Sequence, residues 1–320
     1  MTCLQRLKSF TRLAVGAALG LSLFATVIAP PTTGLAQVEP TSAPSPAVRA
    51  AEGEGPRLWV VRDADSTLYL FGTVHVLRPD TGWWTPRLQQ AFDSADELWL
   101  EFAEVDDSAA VARALQRHGM TPDRPLSSVL EPEILARVDA AARTLGMSGA
   151  MVEPMRPWAA AMLITLAGLD KAGFDAKSGV ELTVARMARA AGKPIRGFET
   201  ADQQVGLIAA MSEPAQVRFL ESTLEDFDRA TQQLDDMVQA WADGDVDALD
   251  AVMTAEMRDK NPEAYDRMIV RRNAAWARQI RSLMEGEGTV FIAVGAGHLA
   301  GDDSVQALLA RQGVTVTEVR

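Results

Sequence analysis

Cysteine is nearly absent from this chain of 320 residues: Cys3, the only one, stands ahead of the first apolar run. That position excludes it as the lipid-bearing cysteine of a lipoprotein, which would lie directly after such a run. The remainder has no disulfide and no thiol chemistry, so its stability must come from a sizeable core, which the length permits. Excess positive charge is lacking as well. A net charge of −12 disfavours nucleic acid as a partner, because a phosphate backbone needs clustered Lys and Arg. The same charge is otherwise no more than good for solubility.

Long apolar runs are limited to one, residues 13–29, and no second run of spanning length follows. Arg6, Lys8 and Arg12 precede it, and Pro30-Pro31 and the small-residue stretch Gly34-Leu35-Ala36 follow. This is the layout of a cleavable signal peptide, residues 1–36, and the expected product is periplasmic or secreted, with no membrane span after cleavage. An uncleaved anchor is the competing reading, since the run approaches the lower limit of roughly 17 residues for a spanning helix. The proline pair, the small-residue site and the positive start argue against it. Residues 37–56 are rich in Pro, Ala, Ser and Glu, too poor in large apolar groups to offset ordering entropy, and are expected to form a disordered linker. The remaining stretch of about 265 residues, 57–320, is expected to be one large domain with helical insertions at about 108–189 and 201–284.

Histidine is also scarce, with three in the chain. Two of them share a context. Leu68-Tyr69-Leu70-Phe71 leads into Gly72-Thr73-Val74-His75, and Thr289-Val290-Phe291-Ile292-Ala293-Val294 leads into Gly295-Ala296-Gly297-His298. Each reads as a buried strand delivering a Gly-x-x-His turn. No longer internal repeat accompanies them.

The surrounding pattern predicts a mixed α/β fold: a mixed central β-sheet flanked by helices, with a large helical subdomain. Leu58-Trp59-Val60-Val61 and residues 67–71 form a hairpin across a short polar loop. Residues 86–95 read as a helix and Glu97-Leu98-Trp99-Leu100-Glu101-Phe102 as a strand. Helical spacing then runs through 108–189, with Pro122, Pro125, Pro132, Pro154 and Pro157 between or at the starts of its pieces. A strand at 194–199 leads to a helix capped by Thr200 or Asp202. A second helical stretch, 201–284, is broken at Gly244 and Pro262, and the C-terminal end reads as a strand, a helix capped by Asp302 or Asp303, and a last strand at 314–319.

A glycine after a buried strand lets the backbone turn sharply, and a histidine three residues on is then placed across the strand ends, where sheet-based folds keep their sites. Imidazole serves there as a metal ligand or as a proton carrier. Glu101 and Glu199 also end strands. An acid inside an apolar strand is costly unless paired, which singles out Glu101. For Glu199 two readings stand side by side, a functional carboxylate or a favourable charge at the start of the next helix. Two histidines and a carboxylate make a workable metal site that leaves a position open for water, the second carboxylate being a further ligand or a proton carrier. Arg272, in Arg271-Arg272-Asn273, is suited to holding a substrate carboxylate, steadying an oxyanion or pairing a structural acid. Trp83-Trp84 either lines a groove or covers the core. His118 reads as a favourable charge at a helix end.

At these residues the chain resembles the TraB/GumN family, whose metazoan relatives are the Tiki proteases. The resemblance is carried by residues 68–75, by Gly197-Phe198-Glu199-Thr200 with Gln203-Gln204, and by Arg272-Asn273 through Val294-Gly295-Ala296-Gly297-His298-Leu299-Ala300-Gly301. Phe198 departs from the leucine expected there. The resemblance implies a mixed-sheet fold with His75, His298 and Glu101 as ligands of a divalent cation (Mn, Co or Zn), and Glu199 and Arg272 beside them in catalysis. The expected function is an exported metal-dependent hydrolase acting on a peptide or a small envelope-derived substrate. A non-catalytic binder of peptides or glycan fragments in the cell envelope is the alternative, and an envelope protein that acts through its helical subdomain is a third reading. The oligomeric state is not legible in the sequence.

Overall fold

Alternation of buried and half-exposed residues in the first strands sets up the sheet. In the computed structural model, which describes residues 48–320, β1 (Leu58–Arg62) and β2 (Ser66–Thr73) form the expected antiparallel hairpin, with Leu58 opposite Phe71 and Arg62 opposite Thr67. Four further strands complete the sheet: β3 (Glu97–Phe102), β4 (Ile195–Glu199), β5 (Gly288–Gly295) and β6 (Val316–Glu318). Their order is β4-β3-β5-β2-β1-β6. The first four of that order run parallel, and β1 is antiparallel to both of its neighbours. Parallel strands need long crossovers, and the helical stretches supply them. The helices between residues 108 and 190 connect β3 to β4, and those between 201 and 284 connect β4 to β5.

Parallel pairing of β2 with β5 ends at Thr73 opposite Gly295. The two Gly-x-x-His segments therefore leave the sheet side by side and in the same direction. This is the central positional consequence of the topology.

Successive side chains in a strand face opposite sides, so the sheet buries two cores. Leu68, Leu70, Val290, Ile292 and Val294 pack with Trp276, Ala277 and Ile280 of the helix Arg271–Met284 and with Leu309 of the helix Val305–Arg311. Phe71, Phe291, Ala293, Leu98 and Leu100 face the larger helical layer instead. Its centre is the helix Pro157–Lys171, whose Trp158, Met162, Ile164 and Leu166 are buried. Pro86, Pro132, Pro157 and Pro262 all sit in first turns, where the missing N–H has no helical partner to lose.

Several local expectations change, and open alternatives at Trp83 and Thr200 are resolved. Residues 1–36 and 37–47 lie outside the described residues, but 48–56, expected within the linker, include a parallel bridge of Ala50 to Trp84, and Ala51 N donates to Trp84 O at 3.0 Å. Trp83 belongs to the core rather than a groove, 3% exposed and stacked on Phe71 at 5.9 Å between centroids. The helix Val305–Arg311 is capped by Ser304, not by Asp302 or Asp303. The last strand is shorter than expected because it pairs only with β1, over three residues. Thr200 caps the helix Ala201–Ala209, in a reciprocal capping box with Gln203. Among the described residues no helix is long and apolar enough to cross a membrane.

Gly197 shows how tightly β4 docks on β3. A Cβ there would stand 2.6 Å from Ala103 N and 2.8 Å from Phe102 Cα, backbone atoms that cannot swing aside. Gly197→Ala is expected to destabilise the protein by about 1–3 kcal/mol through overpacking. Urea unfolding reads this as a lowered midpoint at unchanged slope; a midpoint equal to wild type contradicts the β3–β4 pairing.

Candidate active site

Four parallel strands end on one edge, and each delivers a polar residue there. Glu101 comes from β3, Glu199 from the end of β4, and His75 and His298 from the turns after β2 and β5. Arg272 and Asn273 reach the same place from the first turn of the helix Arg271–Met284, directly after the π turn Asp266–Val270. Such widened turns recur where a helix presents functional side chains.

The Glu101 side chain is 2% exposed. Its Oε1 accepts from Gly295 N at 2.8 Å, and its Oε2 accepts from Arg272 Nη2 at 2.6 Å and Gln204 Nε2 at 2.5 Å. Burial is the largest single influence and would raise its pKa, but the opposing groups around it, Arg272 foremost, together outweigh it and hold the carboxyl at about 2.

Consecutive residues grip both edges of the His298 ring. Asn273 Nδ2 donates to Asp303 O at 2.7 Å, which turns its Oδ1 toward His298 Nδ1 at 2.6 Å. An amide oxygen only accepts, so Nδ1 carries the proton and Nε2 is the acceptor for Arg272 Nη1 at 3.0 Å. Burial, and then the neighbouring guanidinium, lower the pKa of His298 to about 3, so the ring is neutral. His75 differs. Its Nδ1 lies 2.6 Å from Glu181 Oε1, and although burial pulls its pKa down, the attraction of Glu181 prevails and the net shift is upward.

Arg272 ties these groups together. Its Nε donates to Glu199 at 3.0 and 3.1 Å, Nη2 to Glu101 and Nη1 to His298, and its guanidinium lies over Trp276 at 4.6 Å. Glu199 also accepts from Trp276 Nε1 at 3.1 Å. It is the counter-charge of Arg272 and does not cap the helix that follows it, a task that falls to Thr200. Phe198 stacks on Trp276 at 5.4 Å and contacts Trp99, so the larger ring in place of leucine extends an aromatic stack.

Gly295 marks where the groups meet. A Cβ built on it would lie 3.0 Å from Glu101 Oε1, 3.5 Å from His75 Nε2 and 3.6 Å from His298 Cδ2. His118 is elsewhere, at a helix end against Asp202 at 3.1 Å.

Glu181 and Gln204 were not singled out for chemistry from the sequence. Glu181 does carry a signal: it lies three and four positions before Val184 and Ala185, on the buried face of the helix Val180–Ala190. Glu181 Oε2 and Gln204 Oε1 are buried acceptors without a hydrogen-bond partner.

The donor set fits a divalent cation in kind. Both rings hold their proton on Nδ1 against a partner, as metal-ligating histidines do, a carboxylate stands between them, and two orphaned acceptors lie in the same network. Its present spacing does not close on one. Among the described residues no three His, Cys, Asp or Glu groups are gathered to hold a metal ion, and Arg272 donates to two of the three candidate donors, His298 and Glu101.

A parallel four-strand unit with paired Gly-x-x-His turns, a buried carboxylate and a buried arginine at its C-terminal edge defines the class of protein. The chain belongs to the TraB/PrgY/gumN family, whose description matches residues 57–318. It is also similar to an uncharacterized protein of Treponema pallidum (strain Nichols), 22% identical over 263 residues that cover 77% of this chain and 78% of the relative. No solved structure matches.

Removing Arg272 strands two carboxylates. Arg272→Met is expected to destabilise the fold by about 3–5 kcal/mol, as breaking a buried ion pair from one side does; chemical denaturation within 1 kcal/mol or so of wild type contradicts the network. Acid gives a second check. The folded pKa of Glu101, about 2, lies below its ordinary 4.5, so its stabilising contribution is complete above about 4.5 and is lost as pH falls toward 2. In metal-free protein, Glu101→Gln is expected to flatten the loss of stability across that window. An unchanged slope contradicts the assignment.

Proposed function

We propose that the protein is a metal-dependent hydrolase of peptide or related amide bonds, with His75, His298 and Glu101 as the cation's ligands. The observation that carries this reading is the convergence at Gly295 of two imidazole rings and a carboxylate oxygen, with both ring Nδ1 atoms already engaged by acceptors. Mn, Co and Zn all suit imidazole and carboxylate donors. When bound, such a cation would polarise the scissile carbonyl and acidify a water.

The protein's own groups have separate tasks. Neutral His298 offers Nε2, and the ionised Glu101 offers the oxygen that Gly295 N–H steadies. Arg272 Nη1 must withdraw from His298 Nε2 for that atom to act as a ligand, whereas its bond to Glu101 falls on the other oxygen, Oε2. Its Nε–H, shared between both oxygens of Glu199, keeps it beside the site, where a guanidinium can hold a substrate carboxylate or a developing oxyanion. His75, Glu101, Arg272 and His298 are all buried, so substrate reaches them only when part of the helical cover moves. Export to the periplasm or beyond belongs to the same reading and rests on residues 1–36. The substrate is accordingly a peptide or a small molecule of the envelope.

Elemental analysis of the purified protein, with digestion of a peptide library before and after chelation, tests this directly. The expected result is a bound or restorable divalent cation, cleavage that chelation stops, and loss of both metal and turnover in His75→Ala and His298→Ala. Normal hydrolysis by those variants sinks the mechanism. Peptide affinity that survives chelation, with no cleavage, would instead indicate a binding protein.

A further inference from the structure

Glu181 is outside the ligand set, yet it is built into the site as firmly as any member of it. Its carboxylate is buried on an otherwise apolar helix face, where an acid is costly unless a specific contact holds it. Oε1 accepts from the Thr73 hydroxyl and stands 2.6 Å from His75 Nδ1, and Oε2 is buried without a hydrogen-bond partner. The helix start that carries it is clasped to the end of β2. Val180 N donates to Val74 O at 3.0 Å, and Gly179 lacks the Cβ that would stand 2.3 Å from His75 O.

A carboxylate oxygen only accepts, so the contact requires the hydrogen on His75 Nδ1 and leaves Nε2 as the basic edge. That edge is the one 3.5 Å from the point a Cβ on Gly295 would occupy. Asn273 imposes the same tautomer on His298 through an amide oxygen.

We propose that Glu181 is the positioning residue of His75: it fixes the Nδ1–H tautomer and turns Nε2 into the space shared with Glu101 and His298. Asn273 has the matching task at the other ring. One ring is thus backed by a charged acceptor and the other by a neutral one, and the carboxylate makes His75 the stronger donor of the pair. The tautomer assignment stands by itself; its effect on metal affinity rests on the function proposed above.

Long-range proton–nitrogen NMR on full-length protein labelled with 15N-histidine reads the tautomer, and with three histidines in the chain the separate variants His118→Gln and His298→Gln assign the spectrum. Wild type is expected to show His75 protonated at Nδ1 when neutral. In Glu181→Gln an amide can present either end to the ring, so a mixture of tautomers is expected, together with a loss of about 10–100-fold in Mn²⁺ affinity by titration. Glu181→Asp, which restores the charge, should recover the wild-type tautomer. A wild-type His75 protonated at Nε2 overturns the proposal, and that spectrum decides the matter even if Glu181→Gln does not fold. So does a Glu181→Gln protein with unchanged tautomer and unchanged Mn²⁺ affinity. If the tautomer shifts as expected while wild type takes up no Mn²⁺, the positioning role stands and the metal reading fails.

Discussion

The constraint on which the site depends is the burial of the Glu101 carboxylate at the end of a central strand. An ionised acid in that position is tolerable only if donors surround it, and each donor comes from a different part of the chain. Gly295 N–H arrives with β5, Gln204 with the helix after β4, and Arg272 with the helix before β5. Satisfying one carboxylate therefore docks both ends of the β4–β5 crossover onto the sheet's edge. The arginine passes the requirement on, because its remaining donors need Glu199 and His298.

Much of this was legible in the sequence, for identifiable reasons. An acid in the apolar run of β3 had to be paired, and the two Gly-x-x-His segments followed strands apolar enough to be central. Parallel pairing of β2 with β5, up to Thr73 and Gly295, is what turned two similar segments into neighbours. The contribution of Glu181 was hidden because its partner is 106 positions away by their residue numbers and its helix face reads as ordinary core. Trp83-Trp84 was ambiguous for a related reason: an aromatic in a loop is assigned to core or groove only by what stacks on it, here Phe71. Caps fell one or two residues from their expected places at the helix Val305–Arg311, where three candidates, Asp302, Asp303 and Ser304, stand in a row.

The two histidines share a motif but not an environment. His298 sits against a guanidinium and an amide and is held neutral, with its pKa at about 3, while His75 sits against a carboxylate that favours its proton. Pairs of titratable groups driven apart in this way are characteristic of sites that handle charge rather than of packing alone. Membership of the TraB/PrgY/gumN family does not fix what the arrangement acts on, since a fold carries many chemistries.

Diffraction from crystals grown with Mn²⁺, recorded for anomalous signal, tests the central claim most directly. The account predicts a single strong peak beside Gly295, approached by Nε2 of both His75 and His298 and by Glu101, with Arg272 drawn back onto Glu199. Imidazole rings far apart, or a peak bound elsewhere on the molecule, would contradict it.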